Sequence, residues 1–157
     1  MNKKGQTTVE FALVALLLFA MLFALIDMAV MFYVNLTMQS AVREGARYAI
    51  TGQGGESAGR RTALINKIKE RSNGLYDKNA NPQGKEPKVS VLTPADVGSY
   101  SNYTGRPVGD TGKPDEIIIV SLNYAWPLLT PILRPFFPGN TYTFTVRATM
   151  KNEPWGL

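Results

Sequence analysis

The 157-residue chain contains no cysteine and no histidine. Without cysteine there is no disulfide framework and no thiolate metal site. Without histidine it lacks the commonest general base and the commonest transition-metal ligand. Both absences weigh against an enzyme, and the reading is of a non-catalytic protein with no cofactor and no metal. Proline is absent before Pro82, so nothing in the first half of the chain forbids long helix. Basic residues outnumber acidic ones, 17 to 12. They are scattered, however, and no stacking aromatics alternate with them, so nucleic acid is not the expected partner. A basic balance of this kind also suits an anionic lipid surface.

What is present is concentrated at one end. From Val9 to Leu36 the chain is almost wholly apolar, and Phe11–Ile26 contains no charge, proline or glycine. Crossing a hydrocarbon core takes about 20 apolar residues at about 1.5 Å each. Phe11–Leu36 meets that length, with Asp27 as an internal interruption. The stripe of Leu36, Met38, Ala41, Val42, Gly45, Ala46 and Ala49 continues the helical period. Thr51-Gly52-Gln53-Gly54-Gly55 is the first stop. A helix over about 8–50 would be about 65 Å long, roughly twice a hydrocarbon core. A cleaved secretory signal is the competing reading, but such cores are shorter and do not run on into an amphipathic helix.

Ser57–Arg71 reads as a second helix, with Ser57 as cap, Leu64, Ile65 and Ile68 as its apolar stripe and Gly74 as its stop. Strands follow at Lys88–Thr93, Glu116–Tyr124 and Thr141–Met150. In the second, Ile118, Val120, Leu122 and Tyr124 share a face. In the third, Tyr142, Phe144, Val146, Ala148 and Met150 alternate with polar residues, the mark of a half-buried antiparallel strand. The expected fold is therefore α+β: a long N-terminal transmembrane helix, a short helix and a small antiparallel three-stranded sheet. The expected division is a leader at 1–5, the extended helix at 6–50 and an extracytoplasmic domain at 51–157. Between the last two strands, Trp126–Gly139 carries four prolines among apolar residues. It must be buried under the sheet or used as a contact surface, with Trp126 and Phe136 as its large side chains.

Several residues invite a functional reading. Ala41, Gly45 and Ala49 recur every four positions, so they share a helix face that another element can approach closely. That element is either a neighbouring subunit or the protein's own sheet, through Tyr142 and Phe144. An acid inside a span costs about 2.5–3.5 kcal/mol on insertion scales, so Asp27 faces either a partner helix or water at the far boundary. Asp77-Lys78-Asn79-Ala80-Asn81 alternates oxygen donors like a calcium loop, but the needed glycine falls late and Pro82 intervenes. An Asn-rich turn is the plainer reading. Asp110, Asp115 and Glu116 are carboxylates in a loop with no sign of a substrate pocket beside them.

Lys3-Lys4-Gly5-Gln6-Thr7-Thr8-Val9-Glu10-Phe11 has a basic start, a glycine, and an acid five residues later at the mouth of an apolar helix. This order resembles the processing site of type IV prepilins, in which a prepilin peptidase cuts after the glycine. Together with Ile26-Asp27 and Ala41-Val42-Arg43-Glu44-Gly45-Ala46-Arg47-Tyr48-Ala49, it resembles the TadE-like (TadE/TadG) pseudopilins of the Tad, or Flp, branch. The resemblance covers residues 5–50; the middle, Gly52–Gly139, matches nothing. Gln6 stands where classical pilins have phenylalanine, and the helix has no early proline kink.

The resemblance implies a structural minor pseudopilin that assists assembly of a Tad-type adhesive pilus or related secretion apparatus. It implies cleavage between Gly5 and Gln6 and a subunit contact through Glu10. The implied partners are a prepilin peptidase, other pilins or pseudopilins, inner-membrane assembly proteins and membrane lipid. The implied location is a single pass of the inner membrane with the N-terminus in the cytoplasm and the C-terminal domain outside it, a place from which the chain can enter a pilus. A membrane-anchored binding module that never enters a filament is the alternative.

Overall fold

A computed structural model describes residues 3–76, 86–92 and 109–155. Its elements are helices α1 (Lys3–Ile50) and α2 (Ser57–Arg71) and strands β1 (Lys88–Leu92), β2 (Ile117–Pro127) and β3 (Thr141–Lys151). The class is α+β, as expected. The three strands form an antiparallel sheet in the order β1-β2-β3. Lys88 pairs with Ser121 and Leu92 with Ile117, which places β2 in the centre.

α1 persists for 48 residues because nothing within it breaks a helix. It ends where Thr51 Oγ1 donates to the Tyr48 carbonyl and Gly52 turns into the left-handed region at φ 73°. α2 occupies the expected residues, but its cap differs from expectation. Glu56 stands at the N-cap with no side-chain bond, whereas the Ser57 hydroxyl pairs with Thr111 Oγ1 at 3.0 Å. The hydroxyl thus joins the helix start to a distant loop. Both long strands run further than expected, β2 through Trp126 to Pro127 and β3 to Lys151.

The chain divides into two compact units. One contains residues 1–33 with 126–142; the other contains residues 34–125 with 143–157. The second holds the larger core. Val34, Met38 and Val42 of α1, Leu64 and Ile68 of α2, and Ile118, Val120, Leu122 and Tyr124 of β2 are all buried there. The expected alternation of β2 is visible in that set, and Ile119 is buried as well, as befits a central strand. On the other face, Thr145 Oγ1 of β3 donates to Asn123 Oδ1 of β2 at 2.8 Å. Tyr124 and Phe144 meet across the same strands with ring centres 5.4 Å apart. The Tyr124 hydroxyl donates to the Leu75 carbonyl at 2.7 Å, tying the sheet to the turn after α2.

Candidate functional site

The first unit carries the features with no ordinary place in a water-soluble fold. Val9, Phe11, Leu13, Val14, Leu16, Leu17, Leu18 and Phe19 are all exposed, and the same surface continues through Met28, Phe32 and Leu36. An uninterrupted helical surface of this kind suits lipid as its solvent. Among the described residues, one helix is long and apolar enough to cross a membrane, and its most apolar window is wholly unburied. This is a candidate single-pass anchor.

At its mouth, Gly5 is exposed and a Cβ there would meet nothing within 4 Å. The glycine is therefore not required by packing. One turn later the Gln6 side-chain amide donates to Glu10 Oε1 at 3.0 Å. Glu10 is otherwise exposed, with Phe11 beside it on the apolar surface.

Asp27 is placed in a way the sequence did not suggest. It is only 1% exposed, so it faces neither water nor an open helix surface. Its Oδ1 accepts the Leu129 amide at 3.2 Å, and its Oδ2 accepts the Thr130 amide at 3.2 Å and the Thr130 hydroxyl. The charge is thus compensated by three donors of the proline-rich loop, in the manner of a cap on a turn. These donors come from the chain itself.

That loop is the second component of the unit. It leaves β2 at Trp126-Pro127, makes 3-10 turns at Arg134–Phe136 and Pro138–Asn140, and enters β3 at Thr141. Gly139 and Asn140 take positive φ, 64° and 57°, to reverse the chain. Arg134 closes the loop from within by donating from Nε and Nη2 to the Leu128 carbonyl. Leu128 is buried and Phe137 packs edge-on to Tyr142, but Leu129 and Ile132 are exposed. Trp126 is half-buried and Phe136 is 78% exposed.

The small-residue row of α1 belongs to the second unit. Ala41, Gly45 and Ala49 are buried there. A Cβ at Gly45 would stand 2.6 Å from Ile68 Cγ1 and 3.2 Å from the Leu64 carbonyl. At Gly45 the close approach foreseen for this row is made by α2.

Other candidates have structural tasks. Asp110 Oδ1 accepts the Gly112 amide at 2.9 Å, Asp115 pairs with Lys151 at 2.8 Å, and Glu116 Oε2 accepts the Lys113 amide at 2.8 Å. Asp77–Asn81, considered for calcium, lies outside the described residues. Among the described residues, no group of three or more acidic side chains could hold a metal ion.

A cluster that the sequence reading missed closes the second unit. The Arg60 guanidinium is buried, donates to the Thr111 and Gly112 carbonyls, and lies 4.3 Å from the ring centre of Trp155. Burial lowers its pKa, an effect that Asp110 partly opposes. Trp155 Nε1 donates to the Ile50 carbonyl at 2.8 Å, and Asn152 Nδ2 donates to the Thr111 and Lys113 carbonyls. The orphan carbonyl at the end of α1 is thereby satisfied. The Trp155 ring also fills the space beside Gly52 that a Cβ would need.

Residues 5–47 match the family model of TadE-like proteins. The matched segment runs from the exposed glycine, through Asp27, to the buried row at Ala41 and Gly45. No curated protein and no solved structure matches the chain.

Proposed function

We propose that this chain, TadE-like over residues 5–47, is a structural minor pseudopilin that assists assembly of a Tad-type pilus or related secretion apparatus. The observation that carries the reading is the coincidence of that match with a helix whose most apolar window is wholly unburied and whose mouth bears Gly5, Gln6 and Glu10. Lys3 and Lys4 hold the N-terminus on the cytoplasmic side of the inner membrane, and α2 and the sheet lie outside the cytoplasm. A prepilin peptidase removes Met1–Gly5. Gly5 suits this role because it is accessible and no neighbour demands its lack of a side chain.

After the cut, Glu10 is the fifth residue of the mature chain. It pairs with the freed amino group of a neighbouring pilin or pseudopilin, so that two charges neutralise each other in an apolar bundle and set the axial offset between helices. Gln6 orients the carboxylate beforehand through its side-chain amide. Inner-membrane assembly proteins and lipid complete the surroundings.

The deciding experiment is the intact mass of membrane-extracted protein expressed with and without a prepilin peptidase. Loss of Met1–Gly5 only when the peptidase is present is expected, and Gly5→Leu should prevent it. A wild-type chain that keeps Met1–Gly5 beside an active peptidase overturns the proposal.

A further inference from the structure

We propose that the Trp126–Tyr142 loop is a lipid-seated foot that rests in the outer interface of the membrane crossed by α1. The proposal rests on the membrane-anchor reading above and adds a second membrane contact, remote in sequence from the first. Its occupant is phospholipid, for four reasons.

The first reason is depth. Asp27 holds the amides of Leu129 and Thr130 at 3.2 Å, so the loop is attached to α1 at a known position. From Phe11 to Asp27 the helix rises about 24 Å, and the exposed apolar surface continues for about 13 Å beyond, to Leu36. A hydrocarbon core is about 30 Å thick. The attachment point therefore lies inside the apolar band, toward its far edge.

The second is the loop's own surface. Leu129, Ile132 and Phe136 are exposed, and Phe136 is the most exposed large apolar side chain of the molecule's described residues. They belong to a loop fastened at Asp27 to a helix whose own apolar side chains are exposed. Trp126 and Tyr142 flank the loop, aromatics of the kind enriched at membrane–water interfaces.

The third is backbone satisfaction. Irregular backbone enters a low-dielectric region only when its polar groups have partners. Pro127, Pro131, Pro135 and Pro138 have no amide proton to satisfy. The amides of Leu128, Leu129, Thr130, Phe136, Phe137 and Asn140 are bonded within the unit. Thr130 turns its hydroxyl to Asp27 as well.

The fourth is charge. Arg134 is the one charged residue between Trp126 and Tyr142. It is exposed while Nε and Nη2 hold the Leu128 carbonyl, and the remaining N–H donors of a guanidinium at this depth reach lipid phosphate.

Because the chain has no cysteine, the test can use single introduced thiols carrying a nitroxide. Leu17→Cys reports on the anchor, Phe136→Cys on the loop and Asn66→Cys on the exposed face of α2. Each full-length variant is placed in vesicles of phosphatidylethanolamine and phosphatidylglycerol, and collision rates with oxygen and with a water-soluble nickel chelate are compared. The expected result is oxygen severalfold favoured at 17 and at 136, with 136 the shallower, and the chelate favoured at 66. If 136 matches 66 while 17 remains oxygen-favoured, the anchor stands and the foot is overturned. If 136 is shielded from both reagents, a protein surface covers the loop and lipid is overturned. If 17 itself matches 66, the membrane reading falls and takes the foot with it. Phe136 is too exposed for its replacement to disturb folding, so each result bears on the proposal itself.

Discussion

The Asp27 carboxylate accepts the Thr130 amide at 3.2 Å across 103 residues of sequence. An acid in the middle of an apolar helix thereby organises a loop encoded near the other end of the chain. Replacing Asp27 by Leu leaves two amides and a hydroxyl without their acceptor, a local loss of about 3 kcal/mol. Relief of the buried charge offsets part of this in global stability. The informative measurement is therefore hydrogen exchange at Leu129 and Thr130, which should quicken strongly in Asp27→Leu and less in Asp27→Asn. Unchanged exchange would show that the loop holds its shape without the carboxylate.

Gly45 is set by contact, not by conformation. A methyl there would press on Ile68 Cγ1 at 2.6 Å, so Gly45→Ala forces α2 outward or Ile68 into a poorer rotamer. The expected cost is about 1–3 kcal/mol, as for other overpacked cores. Ile68→Ala removes Cγ1 and Cδ1, the side-chain atoms that the added methyl would meet, so combined with Gly45→Ala it should recover part of the loss. A double-mutant cycle by thermal melting in detergent measures that coupling, and simple additivity would argue against the contact.

The Arg60–Trp155 pair is expected to discriminate between charge and shape. Arg60→Lys keeps the charge but loses the planar fork that reaches both the Thr111 and Gly112 carbonyls. Trp155→Ala removes the ring and the bond to the Ile50 carbonyl. Each should lower stability by about 1–3 kcal/mol, with sub-additive loss in the double variant because the two share one contact. Tryptophan fluorescence during urea unfolding reads the Arg60 variant directly.

Glu10 separates two roles. If it serves only the helix start, Glu10→Gln trims stability by less than about 1 kcal/mol and leaves assembly intact. The pseudopilin reading expects otherwise: normal membrane insertion and normal removal of Met1–Gly5, with loss of co-purification with other pilus subunits. A variant that co-purifies normally restores Glu10 to the lesser role.

Much of this architecture was legible because it is periodic. The span, the limits of α2 and the alternation of Val146, Ala148 and their polar neighbours follow from local spacing. The TadE-like match likewise rests on a contiguous stretch. What escaped was non-local. Nothing around Asp27 specifies that its partners are Leu129 and Thr130, and nothing around Arg60 points to Trp155. The Ala41, Gly45 and Ala49 row correctly signalled a close approach, but small residues cannot name what approaches. Ser57 misled because a hydroxyl at a helix start can bond to its own turn or, as here, to a distant threonine.

The anchoring of Trp155 to the Ile50 carbonyl joins residues 105 apart, and this has a kinetic consequence. Contacts of such span form late, since much of the intervening chain must be ordered first. Until the Glu153–Trp155 segment has been synthesised, the Ile50 carbonyl lacks both the Glu153 amide and the Trp155 indole as donors, and the Arg60 cation lacks its ring. The nascent domain therefore waits half-closed, with its apolar strands open to wrong pairing. That interval ends when an amide and an indole two residues apart, those of Glu153 and Trp155, arrive together at one carbonyl.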